Sequence, residues 1–423
     1  MDGSTAAVTG WACATCGTEV DIATPWPWRC PAAGESRHHV LRIRRSLAPM
    51  RSVDDPNPIV AFDGELAWAA FAQAHGMDLA ARRALVDEVD AAVAAIAGTG
   101  FRITPCFRSG RLSDALGFSA TGGVFVKDET HNVAGSHKAR HLVTIVLHLL
   151  AAERLGLTSS AARPPLAIAS CGNAAIAAAT LAAAMRWPLR VFVPTWADRG
   201  VLARLAELGA EVVACPRHAG DPPGDPCVHH FREAVADGAV PFGVQGPENA
   251  LCLDGGRTLG FEIYEALGHF VDRVFVQVGG GALVTGVGDG LRIAGIHPRI
   301  HAVQTEGCAP LERAWRAVTA SPGAPWADCM RPWEHEPRSA ATGMLDDETY
   351  DWLGAVDAMR AGGGGPVVST ESDVLRAEEL ARTHTSIDAD HTGTAGLAGL
   401  LTIRDQVHDD ERVVVIFSGA RRA

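Results

Sequence analysis

Two lysines, Lys127 and Lys138, stand among the 37 basic residues of this 423-residue chain. Chemistry that needs a side-chain primary amine therefore has two candidates. Lys138 lies in Asn132-Val133-Ala134-Gly135-Ser136-His137-Lys138-Ala139-Arg140, after the apolar run 123–127 and at the start of a helical pattern. A helix N-terminus disfavours an ammonium group, and so suits a neutral amine or one consumed in an imine. Gly135 and Ser136 predict a tight turn and an N-cap. A surface lysine on a capped helix would give the same local pattern.

Three further turns could carry chemistry. Ser170-Cys171-Gly172-Asn173-Ala174-Ala175 follows the run 165–169 and opens a helix. Its N–H groups can hold a carboxylate and its small residues admit a ligand, although an ordinary Ser/Asn cap reads alike. Cys171 invites a thiol-nucleophile reading, but no partner histidine or aspartate can be assigned to it. Gly279-Gly280-Gly281-Ala282-Leu283 follows the run 273–278, and its consecutive N–H groups can converge on a phosphate. A second glycine run, Gly362–Gly365, leads into Pro366-Val367-Val368 and reads as a loop. Phe417-Ser418-Gly419 ends the last apolar run with a hydroxyl that can donate and accept.

These turns need a scaffold. Strands are predicted at 123–127, 165–169, 189–193, 211–215, 273–278, 299–304 and 412–417. Helices are predicted within 64–97 and at 136–153, 173–186, 199–208, 227–237, 256–267, 282–294 and 391–403. This alternation indicates an α/β fold of open, mostly parallel sheets flanked by helices, which bind ligands at the carboxyl ends of their strands. Residues 1–60 read as irregular, and 216–226 and much of 320–340 as surface loops. A net charge of −12 argues against nucleic acid or an anionic membrane as partner. The apolar stretches near 141–152 and 174–185 are shorter than a membrane span. The N-terminus carries no secretory pattern, so a cytoplasmic location is expected.

Together the turns offer an amine, a phosphate cup, a carboxylate-holding loop and a hydroxyl. Those are the groups required by pyridoxal phosphate bearing an amino-acid substrate. The ordered series resembles the fold-type II pyridoxal-phosphate enzymes, the tryptophan-synthase-β-like group that includes threonine synthase, serine/threonine dehydratase and cysteine synthase. The resemblance covers roughly residues 100–423. It rests on Thr104-Pro105, Lys127-Asp128-Glu129, Gly135-Ser136-His137-Lys138-Ala139-Arg140, Ser170-Cys171-Gly172-Asn173, Leu208-Gly209-Ala210-Glu211-Val212, Gly255-Gly256-Arg257-Thr258 with Glu262-Ile263, Gly279–Leu283 and Ser418-Gly419. It departs at His137, where phenylalanine is usual in the dehydratases, at Ala282 for a fourth glycine, and at Ala139, which sits closer to dehydratases than to threonine synthases.

The resemblance implies roles. Lys138 carries the cofactor, Asn173 meets its ring hydroxyl, and Ser418 pairs with its pyridine nitrogen. Gly279, Gly280, Gly281, Ala282 and Leu283 cradle the phosphate. Ser170, Cys171, Gly172, Asn173 and Ala174 meet the substrate carboxylate, and Glu306 lies where relatives contact cofactor or substrate. The implied domains are a zinc-ribbon-like extension at 1–60, a large cofactor-binding domain at 61–164 and 250–423, and a smaller α/β domain at 165–249. In the extension, Cys13, Cys16 and Cys30 are three of the four ligands a tetrahedral zinc needs, with His38 or His39 as the fourth. The other seven cysteines are scattered singly and read as buried thiols. His229-His230 reads as surface, and Trp26 and Trp28 as packing for the N-terminal segment.

The expected reaction is β-elimination from threonine, serine or a related 3-hydroxy amino acid, giving a 2-oxo acid and ammonia in a homodimeric lyase of amino-acid metabolism. The runner-up is threonine synthase acting on O-phosphohomoserine, or a β-replacement synthase. A non-catalytic cofactor-binding protein is an outsider, opposed by the retention of Lys138. So is a nucleotide-binding Rossmann enzyme, which needs an acidic residue ~20 positions past the glycines, a window near Glu306.

Overall fold

The computed structural model describes residues 6–34, 39–222, 224–322, 324 and 326–422. His38, one of the two expected fourth ligands, lies outside the described residues. The strands are β1 (Val8–Cys13), β2 (Glu19–Asp21), β3 (Leu41–Arg45), β4 (Cys106–Arg108), β5 (Gly123–Asp128), β6 (Leu166–Ala169), β7 (Leu189–Pro194), β8 (Glu211–Cys215), β9 (Val240–Pro241), β10 (Arg273–Gln277), β11 (Arg299–Thr305), β12 (Gly365–Ser369) and β13 (Arg412–Phe417). Every strand expected from 123 onward is present to within a residue or two.

Contacts group the chain into two units. The first takes the described residues of Met1–Ile103, with Asn132–Ala134 and Lys138–Gly255. It holds a four-stranded parallel sheet in the order β8-β7-β6-β9, and a three-stranded antiparallel sheet in the order β2-β1-β3. The helix Asn173–Ala184 is alanine-rich and buried along almost its whole length. The second unit takes Thr104–His131, Gly135–His137 and Gly256–Ala423. Its six-stranded sheet runs β12-β11-β10-β13-β5-β4, parallel except where β4 pairs antiparallel with β5. Val126, Phe275, Val303 and Val415 of four neighbouring strands share its core with the buried face of helix His391–Thr402. The segment 165–249 lies wholly in the first unit, whereas 61–164 and 250–423 are each divided between the two.

Two expectations are corrected. The N-terminal segment is not irregular: β1 pairs with both β2 and β3. These strands are too short, and too broken by Gly, Cys and Arg, to show a clear period of two. The run Gly362–Gly365 is not a plain loop. Gly362 ends the helix Trp352–Gly362, Gly363 is left-handed at φ 72°, and Gly365 opens β12. Pro366 is tolerated because β12 lies at the sheet edge and pairs only with β11.

Helix Cys252–Leu267 begins four residues before its expected start at 256, and its approach to helix Lys138–Arg154 explains one glycine. A Cβ on Gly255 would lie 1.8 Å from the Arg140 carbonyl oxygen. Gly255→Ala should therefore cost ~1–3 kcal/mol, read as a lower urea midpoint. Gly64→Ala, where a Cβ meets nothing within 4 Å, should stay within ~0.5 kcal/mol of the parent.

Three histidines are held neutral. Burial pushes His141 down to about 3, with the Lys138 charge adding to it. Burial pushes His148 down to about 4, against the opposing pull of a hydrogen bond to the Pro25 carbonyl. Burial, then the Arg273 charge, pushes His301 to about 4. Below the unfolded value of ~6.5 the unfolded chain takes up protons that the folded chain refuses. The stability these groups contribute is complete above that pH and falls as pH drops toward about 4. Each should add up to ~1.4 kcal/mol per pH unit to the slope. Urea titrations from pH ~7.5 to ~5 should show that decline, and His148→Gln should flatten it; an unchanged slope would refute the assignment.

Candidate active site

The two lysines have different duties. Lys127, on β5, is fully buried, donates to the Thr104 carbonyl at 2.6 Å and pairs with the Glu262 carboxylate. The Thr104 N–H donates to the same carboxylate at 3.0 Å, and the Thr104 hydroxyl donates to Glu129. Lys127 is thus committed to structure, and an amine chemistry falls to Lys138.

Lys138 is half-buried and is the first residue of helix Lys138–Arg154. The helix starts two residues later than expected because the preceding turn is pinned elsewhere. Ser136 forms a bridge with Gly419, the His137 N–H donates to the Ser418 carbonyl at 3.0 Å, and the Ala420 N–H donates to the Gly135 carbonyl at 2.8 Å. Ser136 therefore serves as a bridge residue. His137 Nδ1 also lies 3.0 Å from the Ser418 carbonyl. The turn requires two successive left-handed residues, Ala134 at φ 58° and Gly135 at φ 70°. Alanine in that region costs ~1–2 kcal/mol. One helical turn beyond Lys138, His141 Nδ1 lies 2.7 Å from the Cys252 carbonyl.

In the same unit, Ser170, Cys171, Gly172 and Asn173 are half-buried, and Ala174 is buried. Gly172 is the N-cap of helix Asn173–Ala184 and no side chain caps it. Asn173 is therefore the first helical residue, not the cap. The N–H groups of Gly172, Ala174 and Ala175 meet no acceptor among the described residues. Such an uncapped start, lined by small side chains, is suited to a carboxylate.

The second unit holds Gly279, Gly280, Gly281, Ala282 and Leu283 between β10 and helix Ala282–Ile293. Gly281 is left-handed at φ 94° and caps the helix without a side-chain bond. A Cβ on Gly279 would lie 2.4 Å from an Asp346 oxygen, and one on Gly281 would lie 2.9 Å from the Thr349 methyl. None of the N–H groups from Gly279 to Leu283 meets an acceptor among the described residues. Successive unfilled donors at a helix start, where side chains are excluded, fit a phosphate.

Ser418 comes directly after β13 and is buried. Its hydroxyl oxygen accepts from Gln277 Nε2 at 2.6 Å. Sequence reasoning passed over Gln277; its signal was a polar residue directly after the apolar run 274–276. Glu306 is exposed, and its carboxylate accepts the Glu371 N–H at 3.0 Å, at the start of helix Glu371–His384. His230 is exposed beside Glu233. Trp26 and Trp28 pack edge-on against His148.

In the N-terminal sheet, Cys13, Cys16, Cys30 and His39 gather their ligand atoms within 4.8 Å of one another. Cys13 Sγ lies 3.5 Å from His39 Nδ1, and Cys16 Sγ lies 3.6 Å from Cys30 Sγ. Tetrahedral zinc with bonds of ~2.0–2.3 Å has ligand–ligand edges of roughly 3.5–3.8 Å, so the set fits one ion.

The chain is 28% identical to a threonine synthase of Methanosarcina acetivorans over 329 residues, which cover 75% of this chain and 74% of that one. It is 31% identical to a serine dehydratase-like protein of Mus musculus over 217 residues, 51% of this chain and 60% of that one. Its fold superimposes on the crystal structure of a threonine deaminase from T.th. with a TM-score of 0.61 at 22% identity, covering 80% of this chain and 98% of that one. Residues 97–419, more than two thirds of the sequence, match the family model for pyridoxal-phosphate dependent enzymes, and the chain belongs to that family.

Proposed function

We propose that this enzyme eliminates the β-substituent of threonine, serine or a related 3-hydroxy amino acid, releasing a 2-oxo acid and ammonia. The reading rests on Ser418, whose buried, neutral hydroxyl is taken as the partner of the cofactor's ring nitrogen. A carboxylate there would hold that nitrogen protonated; a hydroxyl does not, and the weaker electron sink favours expulsion of a β-leaving group over transamination.

Bound pyridoxal phosphate supplies the electron sink. Lys138 would hold it, and Lys138 Nζ, as a free amine, would take and keep the proton from the substrate α-carbon. The N–H groups of Gly279 to Leu283 bind the phosphate. Asn173 orients the ring hydroxyl, and Ser170, Cys171, Gly172 and Ala174 bind the substrate carboxylate at an uncapped helix start. The arrangement is proposed to operate in a homodimer, as the family resemblance implies, and in the cytoplasm.

Threonine synthesis from O-phosphohomoserine is the second reading. The Methanosarcina threonine synthase favours it, being similar over three quarters of this chain. We also infer that Cys13, Cys16, Cys30 and His39 hold a structural zinc within a ribbon-like extension.

Purified protein given L-threonine and L-serine should yield 2-oxobutanoate, pyruvate and ammonia, and Lys138→Ala should abolish both the activity and the visible cofactor band. Phosphate and threonine formed from O-phosphohomoserine, without oxo acid from threonine, would replace the first reading by the second. Metal analysis should find ~1 zinc per chain, lost in Cys16→Ser while the cofactor is retained. Protein that stays zinc-free after growth in zinc-supplemented medium would rule the metal out.

A further inference from the structure

We propose that Gln277 is a positioning residue that fixes Ser418 as a hydrogen-bond donor toward the cofactor's ring nitrogen. The proposal rests on the assignment of Ser418 to that nitrogen. Gln277 ends β10, and its side chain is buried. Its Nε2 lies 2.6 Å from Ser418 Oγ, 2.9 Å from the Gly393 carbonyl, 3.0 Å from the Ile416 carbonyl and 3.1 Å from the Thr392 carbonyl. Those three carbonyl oxygens set the amide's orientation. Turned over, it would place Oε1 against three lone-pair-bearing oxygens with no hydrogen between them.

The orientation decides what Ser418 can do. An amide nitrogen has hydrogens to give and accepts none, so Ser418 Oγ is the acceptor in their contact. The hydroxyl proton then points elsewhere, and no described residue receives it. It is left for a ligand atom that accepts, which a ring nitrogen does only when unprotonated. The surroundings are shaped to hold this geometry. A Cβ on Gly393 would lie 2.4 Å from the Gly419 carbonyl, and one on Gly396 would lie 2.8 Å from the Phe275 carbonyl and 3.3 Å from Gln277 Oε1. Glycine at both places lets helix His391–Thr402 bring the Thr392 and Gly393 carbonyls up to the amide.

The test is to load the enzyme with pyridoxal phosphate labelled with nitrogen-15 in the ring, and to titrate the ring nitrogen by NMR. In the parent protein it should remain unprotonated from pH ~6 to ~9. In Gln277→Leu the Ile416 carbonyl loses the side-chain donor and captures the Ser418 proton, while the Gly393 carbonyl keeps the Ser418 N–H. The hydroxyl then turns a lone pair to the ring, and the nitrogen's protonation constant should rise at least tenfold. Gln277→Met offers the same reading if the leucine variant does not fold. A ring nitrogen protonated at neutral pH in the parent, which needs no substitution to observe, would overturn the proposal. So would a variant titrating within twofold of the parent. Borohydride reduction checks the underlying assignment separately: if it fixes no cofactor on Lys138, that assignment fails, and the proposal with it.

Discussion

The short antiparallel stitch between residues 135–137 and 418–420 governs much of this molecule. It ties the segment leading into Lys138 to the end of the last strand of the six-stranded sheet. It needs a left-handed Ala134 just before it and a left-handed Gly135 within it, and the alanine's strain is tolerated because these backbone bonds over-determine the path. The stitch also fixes Ser418 from behind. Its carbonyl faces His137 while its hydroxyl faces Gln277. One residue therefore links the register of the lysine turn to the polarity of a hydroxyl.

Division of labour between like residues recurs. Lys127 is spent on a buried pair with Glu262, and Lys138 opens a helix. Burying a paired charge rarely adds net stability, but removing one partner leaves the other stranded, so such a pair resists substitution by either sort of single change. Of the two glycine runs, Gly279–Gly281 opens a helix with unfilled donors, and Gly362–Gly365 joins a helix end to an edge strand. Composition is the same in both; the element on the C-terminal side, helix or strand, separates them.

The parallel sheets were legible because β-branched runs such as 412–417 and 273–278 are short, apolar and bounded by turn residues. The turns were legible because glycine and small residues have few other reasons to cluster at strand ends. The N-terminal sheet was not, since β2 has three residues and β1 is broken near its start at Gly10. Gln277 was missed because its meaning depends on carbonyls more than a hundred positions away. His39 could be narrowed from sequence only to one of two adjacent histidines.

Concealing one of two lysines leaves a surface whose cations are almost entirely guanidinium groups. Amines shed their protons near pH ~10, whereas guanidinium keeps its own beyond ~12. As solutions turn alkaline, most proteins lose positive charge and drift toward mutual repulsion. This one should hold its cationic complement nearly constant, with cysteine and its two tyrosines left to set the change.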